Sequence, residues 1–223
     1  MIISHTHKLI FFSNPKTGSE SIRMKLEAIN EETIVNFDET TSDSPFYSHM
    51  RPLELRSVFE NRGLNYNDYN SIVMTRNPWA RLVSTYENIY WNHIYRRKPL
   101  LRSKPTFQKW LVASKIDGEG GGGLGNRRWL TYGTYSLENY AGDENGKIIV
   151  NKVIKLEDVD REFNSYLRTI GLEKLAENAV PKINTLGSRK KKKKPYQEYY
   201  NEKTRALVQE RYKCEIERFN YEF

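Results

Sequence analysis

The segment Asn14-Pro15-Lys16-Thr17-Gly18-Ser19-Glu20-Ser21 packs three hydroxyls, one glycine and one lysine into eight residues. These are the parts an anion needs at a helix N-terminus: outward N–H groups, a glycine that lets the backbone come close, hydroxyl donors and a full positive charge. The same composition also suits a capped helix start after a turn, so the loop alone leaves both uses open. A second chemical feature is Arg76, which follows the apolar run Ser71 to Thr75. A guanidinium at the carboxyl end of a strand stands where open α/β sheets bind ligands, and it can grip a phosphate through two parallel hydrogen bonds. A surface ion pair is its plainer role. Ser84 comes eight residues later, about two helical turns along.

The loop differs from that of a nucleotide triphosphatase in two ways. The Walker pattern sets its lysine directly after the second glycine, whereas Lys16 precedes Gly18. The next core strand ends in Thr75-Arg76 rather than in an aspartate able to hold Mg²⁺. A nucleotide here is expected to bind without a metal.

The elements that must position these groups follow from the hydrophobic pattern. Lys8 to Ser13 (KLIFFS) predicts a buried strand, and Ile22, Leu26 and Ile29 then share one face of a helix. Thr33 to Phe37 is a candidate second strand. Pro52 opens a helix with Leu55 and Phe59 four apart, ended by Gly63. Ser71 to Thr75 predicts the next strand, after which Asn77 caps and Pro78 starts a helix through Leu82, Tyr86 and Ile89. Ile148 to Leu156 is expected as a strand and Val159 to Ile170 as a helix stopped by Gly171. One long final helix, Asn201 to Phe219, turns Val208, Tyr212, Ile216 and Phe219 inward. Strands alternating with helices predict an α/β fold with a central parallel sheet covered on both faces. Residues 117–125 contain four successive glycines, which predicts a mobile loop.

At 223 residues and 38% hydrophobic content the chain can bury one substantial core, and it is read as a single domain over residues 1–223. The apolar run Leu9 to Phe12 is too short for a signal peptide or a bilayer span. One cysteine, Cys214, excludes an internal disulfide and any multi-cysteine metal site, and its helical setting predicts a small buried residue. A reducing, cytoplasmic compartment fits. The net charge of +8 is uneven, because Arg189 to Lys194 carry six positive charges and leave +2 for the rest. Basicity so localised points to an anion held in one place rather than to a basic surface throughout.

With these residues in view, FFSNPKTGSESI resembles the 5′-phosphosulfate loop of sulfotransferases that use 3′-phosphoadenosine 5′-phosphosulfate (PAPS), and VMTRNPWARLVSTYE resembles their 3′-phosphate motif. The resemblance continues through KVIKLEDVDREFNSYLRTIGL and KPYQEYYNEKTRALVQERYKCEIERFNYEF. It is similar to carbohydrate-type and bacterial members and spans nearly the whole chain. It implies a P-loop-like fold and PAPS as co-substrate, leaving as adenosine 3′,5′-bisphosphate, with no metal. It further implies that Lys16, Thr17, Gly18, Ser19 and Ser21 hold the 5′-phosphosulfate, with Pro15 and Glu20 in the same loop, while Arg76 and Ser84 hold the 3′-phosphate. A basic loop that closes over the nucleotide is expected at about residues 187–196, where Arg189 and Tyr196 are the chosen contacts; a solvated charge run is the plainer alternative. Ser19 and Glu20 depart from the small-residue pairs of many relatives, and Lys155 replaces a frequent arginine. Glu20 adds a negative charge beside an anion site.

Sulfuryl transfer makes demands like those of phosphoryl transfer: in-line geometry, stabilisation of the leaving phosphate and a base for the acceptor proton. Lys16 is the candidate for the leaving group. His49, in SPFYSHMRP, is the candidate base, because histidine titrates near neutrality and carbohydrate sulfotransferases place a histidine in this region. A structural histidine is the alternative, and Glu20 is the rival base, though the helix dipole explains a first-turn glutamate equally well. The acceptor is expected to be a glycan or another molecule bearing a hydroxyl or amine. Tyr86 to Arg102, rich in aromatic and basic residues, is a candidate surface for it. Trp110, Trp129 and Tyr132 belong to the core or the cleft wall. Two rivals remain: an ATP-dependent small-molecule kinase, which needs Mg²⁺ ligands, and a polyanion-binding module built on the Arg189 to Lys194 run, for which no nucleic-acid motif is present.

Overall fold

The computed structural model describes residues 1–89, 105–114, 133–181 and 194–223. The chain opens with a short strand, β1 (Ile2–Ser4), pairs antiparallel with β2 (Leu9–Phe12), and continues through β3 (Asn70–Thr75) and β4 (Lys152–Lys155) in the order β1-β2-β3-β4. β2, β3 and β4 are parallel, with Phe12 opposite Val73 and Thr75 opposite Lys155. The described sheet is therefore mixed. The expected parallel core is present, and the antiparallel β1 is an addition that three residues were too few to announce.

Side chains alternate across the sheet as the strand period requires. Ile3, Ile10, Phe12 and Val73 enter one core with Leu55 and Phe59 of α2 (Pro52–Asn61) and Leu137 and Tyr140 of α5 (Leu137–Ala141). Ile2, Leu9, Phe11, Ile72, Met74 and Ile154 enter the other. There they meet Ile22 and Leu26 of α1 (Ser19–Leu26), Phe163 and Leu167 of α6 (Val159–Thr169) and Ala176 of α7 (Glu173–Ala176). A third cluster joins α3 (Pro78–Glu87), α4 (Phe107–Ala113), α8 (Glu202–Arg211) and α9 (Lys213–Phe219) through Trp79, Leu82, Trp110, Val208, Tyr212 and Ile216. Trp110 is thus a core residue.

Three element expectations are corrected. Thr33 to Phe37 forms no strand beyond one parallel bridge, Val35 to Tyr47, because the Glu39 carboxylate accepts from the Asn36 backbone and amide and bends the chain into a short 3-10 turn, Phe37–Glu39. Ile148 to Leu156 narrows to β4: the Asp143 carboxylate accepts from the N–H groups of Asn145 and Lys147, and that turn draws Ile148 into a bridge with Gly142. The long final helix breaks at Tyr212, whose hydroxyl donates to the Thr134 carbonyl at 2.5 Å. Val208, Tyr212 and Ile216 are buried as expected, with Phe219 half-buried. Cys214 faces outward and is exposed, opposite to its expected burial, since α9 restarts after the break with Glu215 and Ile216 inward. Residues 117–125 lie outside the described residues.

Candidate functional site

The parallel strands deliver their carboxyl ends side by side, and the loop of Lys16 and the Arg76 side chain leave from two of them. After β2 the chain turns through Ser13 to Gly18 into α1. Asn14 ties this turn to the neighbouring strand, its amide donating to the Met74 carbonyl at 3.2 Å. Thr17 is fully buried and its hydroxyl donates to the Asn14 carbonyl at 2.8 Å, so that proton shapes the loop and does not face a ligand. Lys16 (φ 64°) and Gly18 (φ 81°) both adopt the left-handed region. For lysine that conformation costs roughly 1–2 kcal/mol, strain of the kind found where a loop is shaped for a ligand. Alternating hands of this sort turn successive N–H groups into a concave anion cradle. Gly18 also packs so closely on the Leu156 side chain that a Cβ would stand 2.5 Å from its Cδ1. Pro15 and Ser19 are buried, Lys16 and Ser21 half-buried, and Glu20 exposed in the first turn of α1.

Arg76 leaves β3 beside this loop. Its Nη1 donates to the Lys16 carbonyl at 3.2 Å, so the two motifs that lie sixty residues apart in sequence meet in space. Burial lowers the Arg76 pKa, and the Glu157 carboxylate works against that shift. Asn77 caps α3 by accepting from the Ala80 N–H at 3.2 Å, its own N–H donates to Glu157 at 3.0 Å, and its amide donates to the Glu222 carbonyl at 2.7 Å. The helix start is thereby clamped from three sides. Ser84 is half-buried on α3, about 9 Å further along the axis from Pro78 at the helical rise.

His49 comes to the same edge from the segment before α2. Its Nδ1 lies 2.7 Å from the Ser13 carbonyl, which can only accept, so Nδ1 carries the proton and Nε2 the lone pair of the neutral ring. The residue is half-buried, and desolvation of the ring holds its pKa at about 4. The positive charges of the Met1 amine, Arg23 and Lys16 push the same way. Lys16, His49 and Arg76 are therefore gathered around one loop.

The family model described as the sulfotransferase family matches residues 1–222. The chain belongs to the sulfotransferase family. Among solved structures it is similar to mouse sulfotransferase SULT7A1 complexed with PAP, at 16% identity, over 96% of this chain and 85% of that one, with a TM-score of 0.52. At that identity the likeness supports the α/β sulfotransferase fold. No curated protein sequence matches the chain.

This sulfotransferase holds its site with residues that sequence patterns did not single out. Arg81, fully buried, donates from Nη1 and Nη2 to the two carboxylate oxygens of Glu215 at 2.7 and 2.9 Å, and from Nη2 to the Tyr135 carbonyl at 3.0 Å. Thr75 and the Leu137 N–H complete the contacts to Glu215. The pair locks α3 to α9, and the Thr75 contact ties it to the end of β3. Its sequence signal was an arginine one residue before Leu82 on the inward face of α3, matched by a glutamate beside Ile216 on the inward face of α9.

Tyr196 of the sulfotransferase lies in a 3-10 turn and packs edge-on against Phe223 at 5.8 Å; Arg189 falls outside the described residues, as do Trp129, Tyr132 and residues 90–102 of the expected acceptor surface. A cavity of about 400 Å³ is lined by Tyr86, Glu87, Phe107, Gln108, Lys194, Glu198 and Tyr199, none of them a residue of the phosphate loop. Among the described residues no cluster of three metal-ligating side chains forms, and no helix is long and apolar enough to cross a membrane.

Proposed function

We propose that this sulfotransferase, acting as a single domain over residues 1–223 in a reducing, cytoplasmic setting, moves the sulfuryl group of PAPS onto a hydroxyl or amine of a carbohydrate acceptor without a metal. The observation that carries the donor reading is the hydrogen bond from Arg76 to the Lys16 carbonyl, which joins a cationic loop to a cationic strand end. The cleft fits such a donor. Two left-handed residues shape the cradle, and Lys16 and Arg76 bring full charges to this edge. The PAP bound by the mouse relative and the carbohydrate-type resemblance of the C-terminal segment point the same way.

When bound, PAPS supplies a sulfuryl group whose bond to the 5′-phosphate oxygen breaks as a bond to the acceptor oxygen or nitrogen forms. Pro15 to Ser21 cradle the 5′-phosphate, and Lys16 neutralises the charge that grows on it. Arg76 and Ser84 hold the 3′-phosphate, which fixes the donor for in-line attack. Arg189 and Tyr196 close over the nucleotide. His49 takes the acceptor proton on Nε2, its tautomer set by the bond to Ser13. A base with a pKa of about 4 is weak; burial is the main cause of the depression, and the nearby positive charges add to it. A bound polyanion offsets those cations and so removes their share of the depression.

The test is calorimetric titration with adenosine 3′,5′-bisphosphate and, separately, ATP, both in EDTA. Tight binding of the bisphosphate with weak or absent binding of ATP is the expected result. Folded protein that ignores the bisphosphate overturns the donor assignment.

A further inference from the structure

Arg23 lies on the second turn of α1 and makes no hydrogen bond or ion pair with another described residue, and its Nε is buried without an acceptor. Glu20, three residues before, and Glu27, four after, stand at spacings suited to helix ion pairs, yet neither engages it. Leaving a buried donor unmet costs about 1–3 kcal/mol. Helical side chains lean toward the N-terminus, which on α1 is the end that carries the phosphate loop. Its charge is felt by His49 and by the Met1 amine, which donates to Ser13 Oγ at 2.8 Å and to the Ser48 carbonyl at 3.0 Å. Arg76 approaches Lys16 from β3, whereas Arg23 approaches from α1 on the side of the candidate base.

In-line transfer sets the sulfuryl group between the leaving 5′-phosphate oxygen and the acceptor. We propose that Arg23 binds the non-bridging sulfuryl oxygens of the donor and makes no contact with the adenosine bisphosphate that remains. This rests on the PAPS reading above. During transfer the acceptor atom bonds to sulfur, the bond from sulfur to the 5′-phosphate oxygen breaks with its electron pair staying on that oxygen, and the acceptor proton passes to His49. The three sulfuryl oxygens keep their negative charge throughout, and Arg23 offsets it in the ground and transition states.

Because the proposal separates the sulfuryl group from the rest of the nucleotide, it is testable without an acceptor. PAPS and adenosine 3′,5′-bisphosphate are titrated by calorimetry into the full chain, as wild type, Arg23→Gln and Arg23→Lys, with circular dichroism to verify folding. Arg23→Gln is expected to weaken PAPS about tenfold or more while bisphosphate affinity stays within about twofold. Arg23→Lys, which keeps the charge, is expected to recover part of the loss. Equal losses for the two ligands, or no loss for PAPS, overturn the assignment while leaving the donor site standing. Failure of the wild type to bind the bisphosphate overturns the donor site and this role together.

Discussion

The Arg76 guanidinium donates to the Lys16 carbonyl across 3.2 Å, so the residue proposed for the 3′-phosphate also braces the loop proposed for the 5′-phosphosulfate. Lys16 is held in a left-handed conformation that lysine does not favour, and a hydrogen bond to its carbonyl helps keep it there. Donor binding and loop shape are thus coupled through one side chain. Arg76→Ala is expected to weaken adenosine 3′,5′-bisphosphate by roughly 1.5–3 kcal/mol, the range for a hydrogen bond to a charged group. Calorimetry measures this, and an affinity unchanged from wild type would remove Arg76 from the site.

Lys16 has a different expected signature. Its charge acts most where negative charge develops on the leaving phosphate, so Lys16→Ala should lower kcat by about 10²–10³-fold while changing bisphosphate affinity far less. Single-turnover kinetics with labelled PAPS separate the two effects. Equal losses in affinity and rate would make Lys16 a binding residue only.

His49 makes stability depend on pH. Its folded pKa of about 4 lies below the ordinary value of 6.5, so the unfolded chain takes up the proton first as pH falls. The stabilisation is present above pH 6.5 and is lost as pH falls through 6.5 toward 4, by on the order of 3 kcal/mol when complete. Denaturant melts at stepped pH should show a steeper decline for wild type than for His49→Asn over that window. NMR titration should also find the ring pKa higher with bisphosphate bound, because the ligand offsets the charge of Lys16.

The Arg81 to Glu215 pair predicts a strongly non-additive cycle. Either single replacement, Arg81→Met or Glu215→Leu, strands a buried charge and should cost about 3–5 kcal/mol. The double replacement should cost much less than the sum, since both charges leave together. Additive losses in urea melts would show that the two residues act independently.

Gly18→Ala should destabilise the fold by roughly 1–2 kcal/mol through its positive φ alone. The Leu156 contact adds little, because a flexible side-chain end can give way. Adding Leu156→Ala should therefore fail to restore the lost stability in denaturant melts. Restoration would transfer the cause from the backbone to the packing.

Much of this arrangement was legible in one dimension because it rests on local chemistry. The buried strands at Leu9 and Ile72, the Asn77 cap with Pro78 in the first turn, and the glycine at a left-handed position are dictated by periodicity and backbone sterics, and the resemblance of the loop and strand-end motifs located the family. Short or weakly paired elements were less legible. β1 has three residues, and the expected strand at Thr33 gave way to side-chain bonds from Asn36 and Glu39 that compete with a ladder.

What the sequence by itself determined was the identity and order of the groups at the proposed donor site: a lysine and glycine after one strand, an arginine after the next. Only the tertiary structure decided their relations, because these depend on distances across the fold that no local pattern encodes. It set Arg76 against Lys16, placed His49 on the Ser13 carbonyl with a pKa far below neutrality, and buried Arg81 on Glu215 while leaving Arg23 Nε without an acceptor among the described residues. A charged side chain reads the same in sequence whether it is paired or open; burial and the neighbours that converge on it decide whether it is scaffold or site.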